Sequence, residues 1–194
     1  MSCMLAALDL GRVCVGLHLE KMIECILAQT GEKEKAPLES RLRFLWNELE
    51  RGRMETELFF STVRELCGDT FTEEELRRLW CGQILDPVPG TFEAAQELVK
   101  HGYEIAFFSN TSEIHLREIQ RKCPVCRLGK GGVYSFEEGL MKPEEEMYAR
   151  FEAKFGIPAV FFDDNAANVA AAKKRGWDAR LFNAAGDILD FLRR

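Results

Sequence analysis

No stretch of this sequence is apolar for long enough to cross a bilayer. An excess of basic residues is also missing: 26 Lys and Arg stand against 32 Asp and Glu, a net charge of −6. That balance argues against a nucleic-acid footprint. There is no internal repeat and no low-complexity tract. The segment Met1–Leu8 lacks the basic start and cleavage site of a signal peptide, and Asp9 interrupts its apolar run. It reads instead as a buried strand. The 7 cysteines are odd in number and scattered, so they do not form a disulfide framework. The expected setting is a reducing cytoplasm. What remains is ordinary globular composition, 46% hydrophobic and 30% charged, in 194 residues. That length fits one domain, or one domain with a modest insertion.

Short apolar runs alternate with longer helical patterns. The runs are Met4–Leu8, Tyr103–Phe108 and Ala159–Phe162, with a weaker one at Ala179–Phe182. Alternation of this kind predicts an α/β fold, a three-layer Rossmann-like sandwich with a mostly parallel sheet. Residues 15–85 break it and read as helices only. Leu38, Leu42, Leu45 and Leu49 recur on one face, and Leu58, Val63 and Leu66 do so more loosely. Thr72 followed by Glu75 signals a capping box. Asp86-Pro87-Val88-Pro89-Gly90 reads as a breaker. The expected division is a core of residues 1–14 and 86–194, with a small helical cap of residues 15–85 inserted after the first strand. Phe92, Ala95, Leu98 and Val99 mark the first core helix beyond it.

Ligands of parallel sheets bind beyond the carboxyl ends of the strands. The first run ends in Asp9-Leu10-Gly11-Arg12-Val13, the second in Ser109-Asn110-Thr111, and the third in Asp163-Asp164-Asn165, with Asn168 close behind. Lys142-Pro143 lies between the second and third. Singly these are weak signals, since an Asp or Ser after a strand is usually a turn or cap residue. Together they supply a carboxylate nucleophile, a hydroxyl, a cation and an acid pair, a set suited to phosphoryl transfer.

In this order Asp9, Ser109, Lys142 and Asp163-Asp164 resemble the four motifs of the haloacid dehalogenase (HAD) superfamily. The Asp9–Val13 segment, Ser109-Asn110-Thr111 with His115, Met141-Lys142-Pro143 and the segment from Phe161 to Asn168 are similar to one small-cap branch. That branch includes the bacterial alpha-D-glucose-1-phosphate phosphatases. Glu50-Arg51-Gly52 also resembles a cap segment of it. The resemblance implies a magnesium-dependent phosphatase of a small phosphorylated metabolite, with Asp9 as nucleophile. Asp9, the Gly11 carbonyl, Asp164 and, directly or indirectly, Asp163 would hold Mg2+. Ser109 and the Asn110 N–H would bind a phosphate oxygen, and Lys142 would offset negative charge. Arg12, Arg51 and His115 are the further substrate-binding candidates. Trp46, Phe59 and Phe60 are cavity-lining candidates for which core packing is the stronger reading.

The sequence departs from the family pattern at Gly11, where a second Asp usually serves as acid and base. An anomeric leaving group needs less protonation, so a hexose-1-phosphate is the expected substrate. His18 or His115 is an alternative proton source. Two other functions stay open: a 2-haloacid dehalogenase, and a phospho-ligand binder without turnover. Cys123-Pro124-Val125-Cys126 reads as an incidental pair in a loop. Nothing in the composition separates a monomer from a weak homodimer, and no nucleic-acid or membrane partner is expected.

Overall fold

The structure is a computed structural model that describes residues 4–29, 31 and 34–193. Met1, Ser2 and Cys3 of the expected first strand lie outside the described residues. Five parallel strands form the main sheet: β1 (Met4–Leu8), β4 (Tyr103–Ser109), β5 (Gly129–Tyr134), β6 (Val160–Asp163) and β7 (Ala179–Leu181). Their order is β5-β4-β1-β6-β7, so β1 is central, between β4 and β6.

The side-chain alternation of β1 shows why three layers form. Ala6 and Leu8 belong to one hydrophobic cluster, while Leu5 and Ala7 belong to another on the opposite face. The first cluster packs under α5 (Thr91–Lys100), α6 (Glu113–Lys122) and α10 (Gly186–Leu192). The second packs under α8 (Glu145–Phe155) and α9 (Ala166–Lys174), where Phe108, Tyr148, Phe151, Phe161 and Trp177 meet ring against ring. In α5 the buried positions are Thr91, Ala94, Ala95 and Leu98, and Val99 faces outward.

A third cluster holds α1 (Lys21–Leu27), α2 (Lys35–Glu50), α3 (Thr56–Leu66) and α4 (Glu73–Cys81) together. Leu42, Leu45 and Leu49 point inward as their spacing requires, and Leu58 does not. Trp46, Phe59 and Phe60 are buried in this cluster around Trp80. The capping box of α4 is present: the Glu75 N–H donates to Thr72 Oγ1 and the Thr72 N–H to Glu75 Oε2.

Residues 15–85 are not helices only. β2 (Val15–Leu17) pairs antiparallel with β3 (Ile84–Pro87), and this two-stranded ribbon carries the chain from the sheet into the helices and back. The expected breaker at Asp86-Pro87 is therefore the end of a strand, a position open to proline on a short edge ribbon. β5 also escaped the sequence reading, because its segment Gly129-Lys130-Gly131-Gly132 carries no apolar run. No helix among the described residues is long and apolar enough to cross a membrane.

Candidate active site

Asp9 follows β1, Ser109 ends β4 and Asp163 ends β6, so adjacent parallel strands deliver all three to one edge of the sheet. Asp9, Gly11, Arg12, Ser109, Asn110, His115, Lys142 and Asp164 line a single cavity of about 240 Å³ there.

Lys142 is the centre of its polar network. Its Nζ donates to Asp163 Oδ2 and to the Phe108 carbonyl, both at 2.6 Å, and lies 3.1 Å from Asp9 Oδ1. The Asp9 contact is a charge contact without hydrogen-bond alignment, which leaves Asp9 Oδ1 buried and unbonded. Phe108 and Phe161 stand beneath the ammonium, 5.1 and 5.5 Å from it. Burial alone would lower the Lys142 pKa, but the charges of Asp163 and Asp9 outweigh it and hold the lysine charged. Burial pushes Asp9 the other way, well above the usual carboxylate range. Asp163 and Asp164 add to that rise, and Lys142 and the Ser109 hydroxyl oppose it.

The two acids after β6 differ in kind. Asp163 is fully buried and saturated: it accepts from Lys142 Nζ, from the Asn165 N–H at 2.8 Å and from Asn168 Nδ2 at 3.1 Å. Asp164 is half-buried, and its ion-pair partner among the described residues is the Arg12 guanidinium, at 3.6 Å. Carboxylate oxygens of Asp9, Asp163 and Asp164 lie within 4.8 Å of one another. A hard divalent cation fits this donor set. The unbonded Asp9 Oδ1 and the accessible Asp164 suit direct ligation. Asp163 is better placed to orient Lys142 and Asn168.

Other expectations are redistributed. The Asn110 side chain is spent on the Lys142 backbone, accepting its N–H at 2.8 Å and donating to its carbonyl at 2.9 Å. It thus fixes the lysine loop, and only its backbone remains for a phosphate. The helix after β4 starts at Glu113 with Ser112 as its cap, later than the Ser109–Thr111 segment suggests. Lys142-Pro143 is a cis peptide, and α8 begins two residues after the proline. Arg12 lines the cavity with a left-handed backbone, φ 56°, unusual for a residue with a side chain.

Arg51 does not reach the cavity. It caps the end of α2, and its guanidinium pairs with Glu144 before α8 and donates to Asn47. Arg51→Ala is expected to change KM for a small phosphate by less than about threefold. It should remove about 1 kcal/mol or less of coupling with Glu144 in a double-mutant cycle read by denaturant midpoints.

His115 is buried against α4. Its ring stacks on Trp80 at 4.5 Å, and Nε2 meets the Trp80 carbonyl at 3.0 Å, which requires the Nε2–H tautomer. Burial lowers its pKa to about 4, against a smaller rise from the Trp80 carbonyl. It is thus neutral at physiological pH and joins α6 to α4. It does not serve as a proton source, because its one N–H is committed to the Trp80 carbonyl and burial keeps the ring from taking a second proton. The other candidate, His18, is exposed, pairs with Glu24 at 3.0 Å and lies outside the cavity.

The buried His115 also has a consequence for stability. The unfolded chain binds a proton at His115 near pH 6.5, whereas the folded chain resists until about 4. Unfolding then takes up protons, so stability falls as the pH drops through that window. The interval is worth about 3 kcal/mol. Urea midpoints of the wild type and His115→Gln, measured from pH 7 to 4, should show the wild type losing stability faster. Parallel curves would contradict the burial argument.

Sequence reasoning missed several cavity residues. Leu17 and Ile84 come from the β2–β3 ribbon, Leu19 from the turn beyond β2, and Glu50 from the last turn of α2. Their only sequence signal was the Glu50-Arg51-Gly52 segment, of which Arg51 drew the attention. Of the Cys123 and Cys126 pair, Cys123 is buried and lies against Cys14. Cys14 Sγ donates to the Asp9 carbonyl at 3.2 Å, Cys123 Sγ approaches the Cys14 carbonyl at 3.6 Å, and both are buried as free thiols.

Residues 23–176 match the family model of haloacid dehalogenase-like hydrolases, and the chain belongs to that family. Among solved structures, a HAD family enzyme of Bacteroides thetaiotaomicron superposes with a TM-score of 0.84 at 20% identity, covering 100% of both chains. The same enzyme in complex with magnesium and inorganic phosphate gives a TM-score of 0.79 at 21% identity, over 94% of this chain and 96% of that one. A HAD-like family hydrolase of Porphyromonas gingivalis gives 0.77 at 22% identity over 100% of both. An L-2-haloacid dehalogenase of Xanthobacter autotrophicus is more distant, with 0.59 at 16% identity over 91% of this chain and 76% of that one. At these identities the shared property is the fold.

Proposed function

We propose that this chain is a magnesium-dependent phosphohydrolase of a small phosphorylated metabolite. The observation that carries the reading is the convergence of Asp9, Lys142, Ser109 and Asp164 on one cavity beyond the strand ends. Asp9 is the nucleophile: its carboxylate attacks phosphorus, forming an aspartyl-phosphate that water then cleaves. Ser109 and the Asn110 backbone steady a phosphate oxygen, and Lys142 offsets the charge gathered around Asp9. Arg12, at the cavity mouth, adds a cation for the substrate. Mg2+, held by Asp9, Asp164 and the Gly11 carbonyl, would supply further positive charge to the phosphoryl oxygens and favour the ionised Asp9. The magnesium and phosphate bound by the Bacteroides enzyme support this assignment. A haloacid substrate is disfavoured, because its own carboxylate would face the acids Asp163 and Asp164.

A hexose-1-phosphate is the proposed substrate class. Gly11 leaves the core loop without an acid, and an anomeric oxygen departs with less protonation than an alkyl one. The six described cysteines are free thiols, which supports a cytoplasmic setting. The test is inorganic phosphate release from sugar phosphates, acyl phosphates and nucleotides with Mg2+. Turnover on at least one class, abolished by EDTA, is the expected result. EDTA-insensitive dehalogenation, or tight phosphate binding without turnover, would replace this reading.

A further inference from the structure

The core loop offers no proton donor for the leaving group, because Gly11 carries no side chain. A Cβ added at Gly11 would meet Leu17 Cδ1 at 2.5 Å, so the place of an acid there is taken by a leucine methyl. The remaining titratable groups of the cavity are Asp9, Arg12, Glu50, His115, Lys142 and Asp164. Asp9 and Asp164 belong to the acid cluster, and Lys142 is locked between Asp9 and Asp163. The Arg12 guanidinium is paired with Asp164 at 3.6 Å, and His115 is committed to Trp80. Glu50 is left.

In-line displacement places the leaving oxygen opposite Asp9. Glu50 lines the same cavity as Asp9, from the C-terminal end of α2. This helix end is held rigidly. Ser135 Oγ, in α7 (Ser135–Glu138), lies 2.7 Å from the Glu50 carbonyl and 3.0 Å from that of Thr111, so it tethers the cap to the loop after β4. Gly52 turns the chain at φ 63°, where an added Cβ would overlap the Phe136 carbonyl at 1.9 Å. The tether fixes Glu50 with respect to the strand ends rather than leaving it on a free helix terminus.

We infer that Glu50 is the general acid and base of this site, standing in from the cap for the acid that Gly11 does not provide. In the first step the Asp9–phosphorus bond forms and the bond from phosphorus to the leaving oxygen breaks. The departing oxygen takes the Glu50 proton and leaves as an alcohol. In the second step Glu50, now a carboxylate, takes a proton from water as the water oxygen attacks phosphorus. The Asp9–phosphorus bond breaks, the electron pair returns to Asp9, and Glu50 ends protonated.

The surroundings suit both steps. Burial pushes Glu50 up to about 7, Asp9 adds to the rise, and the Trp46 indole N–H opposes it. Glu20 and Arg43 face Glu50 from the adjoining surface cleft but pair with each other at 2.6 Å.

The inference rests on the phosphohydrolase reading and extends it beyond activated leaving groups. The test compares Glu50→Gln with wild type on glycerol 3-phosphate and p-nitrophenyl phosphate. For the alkyl ester, kcat/KM is expected to fall about a hundredfold to ten-thousandfold. For the aryl ester, whose phenolate leaves without a proton, kcat/KM should fall by less than tenfold. There the lost base slows the second step, so a stoichiometric burst of p-nitrophenol should appear. Glu50→Asp, which keeps the carboxyl, should recover part of the alkyl activity. It also serves as the readout if the Gln variant fails to fold, with a larger loss on the alkyl than on the aryl ester. Equal losses on both esters, or no loss on the alkyl ester, overturn the assignment. A wild type that hydrolyses no phosphate ester overturns the phosphohydrolase reading, and the role of Glu50 with it.

Discussion

Replacing Asp9 with Asn is expected to lower phosphate-releasing turnover on the order of ten-thousandfold or more, because the covalent step loses its nucleophile. The same change should not cost stability. Asp9 sits buried beside Asp163 and Asp164, and its ionisation is opposed by burial and by both acids. A neutral amide of the same shape relieves that repulsion, while Asp163 keeps the Lys142 ammonium paired at 2.6 Å. Phosphate release and a urea midpoint on one preparation check both halves. Wild-type turnover in Asp9→Asn would remove the nucleophile assignment. A collapse in stability would instead show that Lys142 depends on Asp9 more than on Asp163.

Lys142→Met is expected to fail in both respects. The ammonium is buried and bonded to Asp163 and the Phe108 carbonyl, with Asp9 at 3.1 Å. Breaking a buried ion pair from one side leaves an uncompensated charge and costs roughly 3–5 kcal/mol. For a chain of this size, that lowers Tm on the order of 10 °C. Turnover should drop at least about a hundredfold, as it does when a charge-stabilising donor is lost. The stability deficit should shrink as the pH falls and the stranded carboxylates take up protons. A pH-independent deficit would mean that lost packing on Phe108 and Phe161, not lost charge, is responsible. A variant that melts like the wild type would contradict the central place of Lys142 in the network.

Period and punctuation made much of the fold legible. Met4–Leu8 and Tyr103–Phe108 are read as strands from their apolar runs, and the capping box at Thr72 marks the start of α4 at Glu73. Glycine-rich β5 and the short β2–β3 ribbon gave no such signal, since their pairing comes from distant partners. In the site, residues attached to strand ends were legible because parallel strands bring their carboxyl ends to one edge whatever the loops do. Residues of helices α1 to α4 were not. Neighbours Glu50 and Arg51 look alike as a charged helix end, yet one lines the cavity and the other pairs with Glu144. A rotation of about 100° per residue around the helix separates them, and nothing local states which face meets the core.

By itself, then, the sequence determined the strand-and-helix alternation and the kinds of groups at the strand ends, because both follow from short-range pattern. Only the tertiary structure decided that Asp163 holds Lys142 while Asp164 stays accessible, that His115 is neutral beneath Trp80, and that Glu50 rather than Arg51 enters the cavity. Those outcomes depend on burial and on partners dozens of residues away in the chain, and no local sequence pattern encodes either.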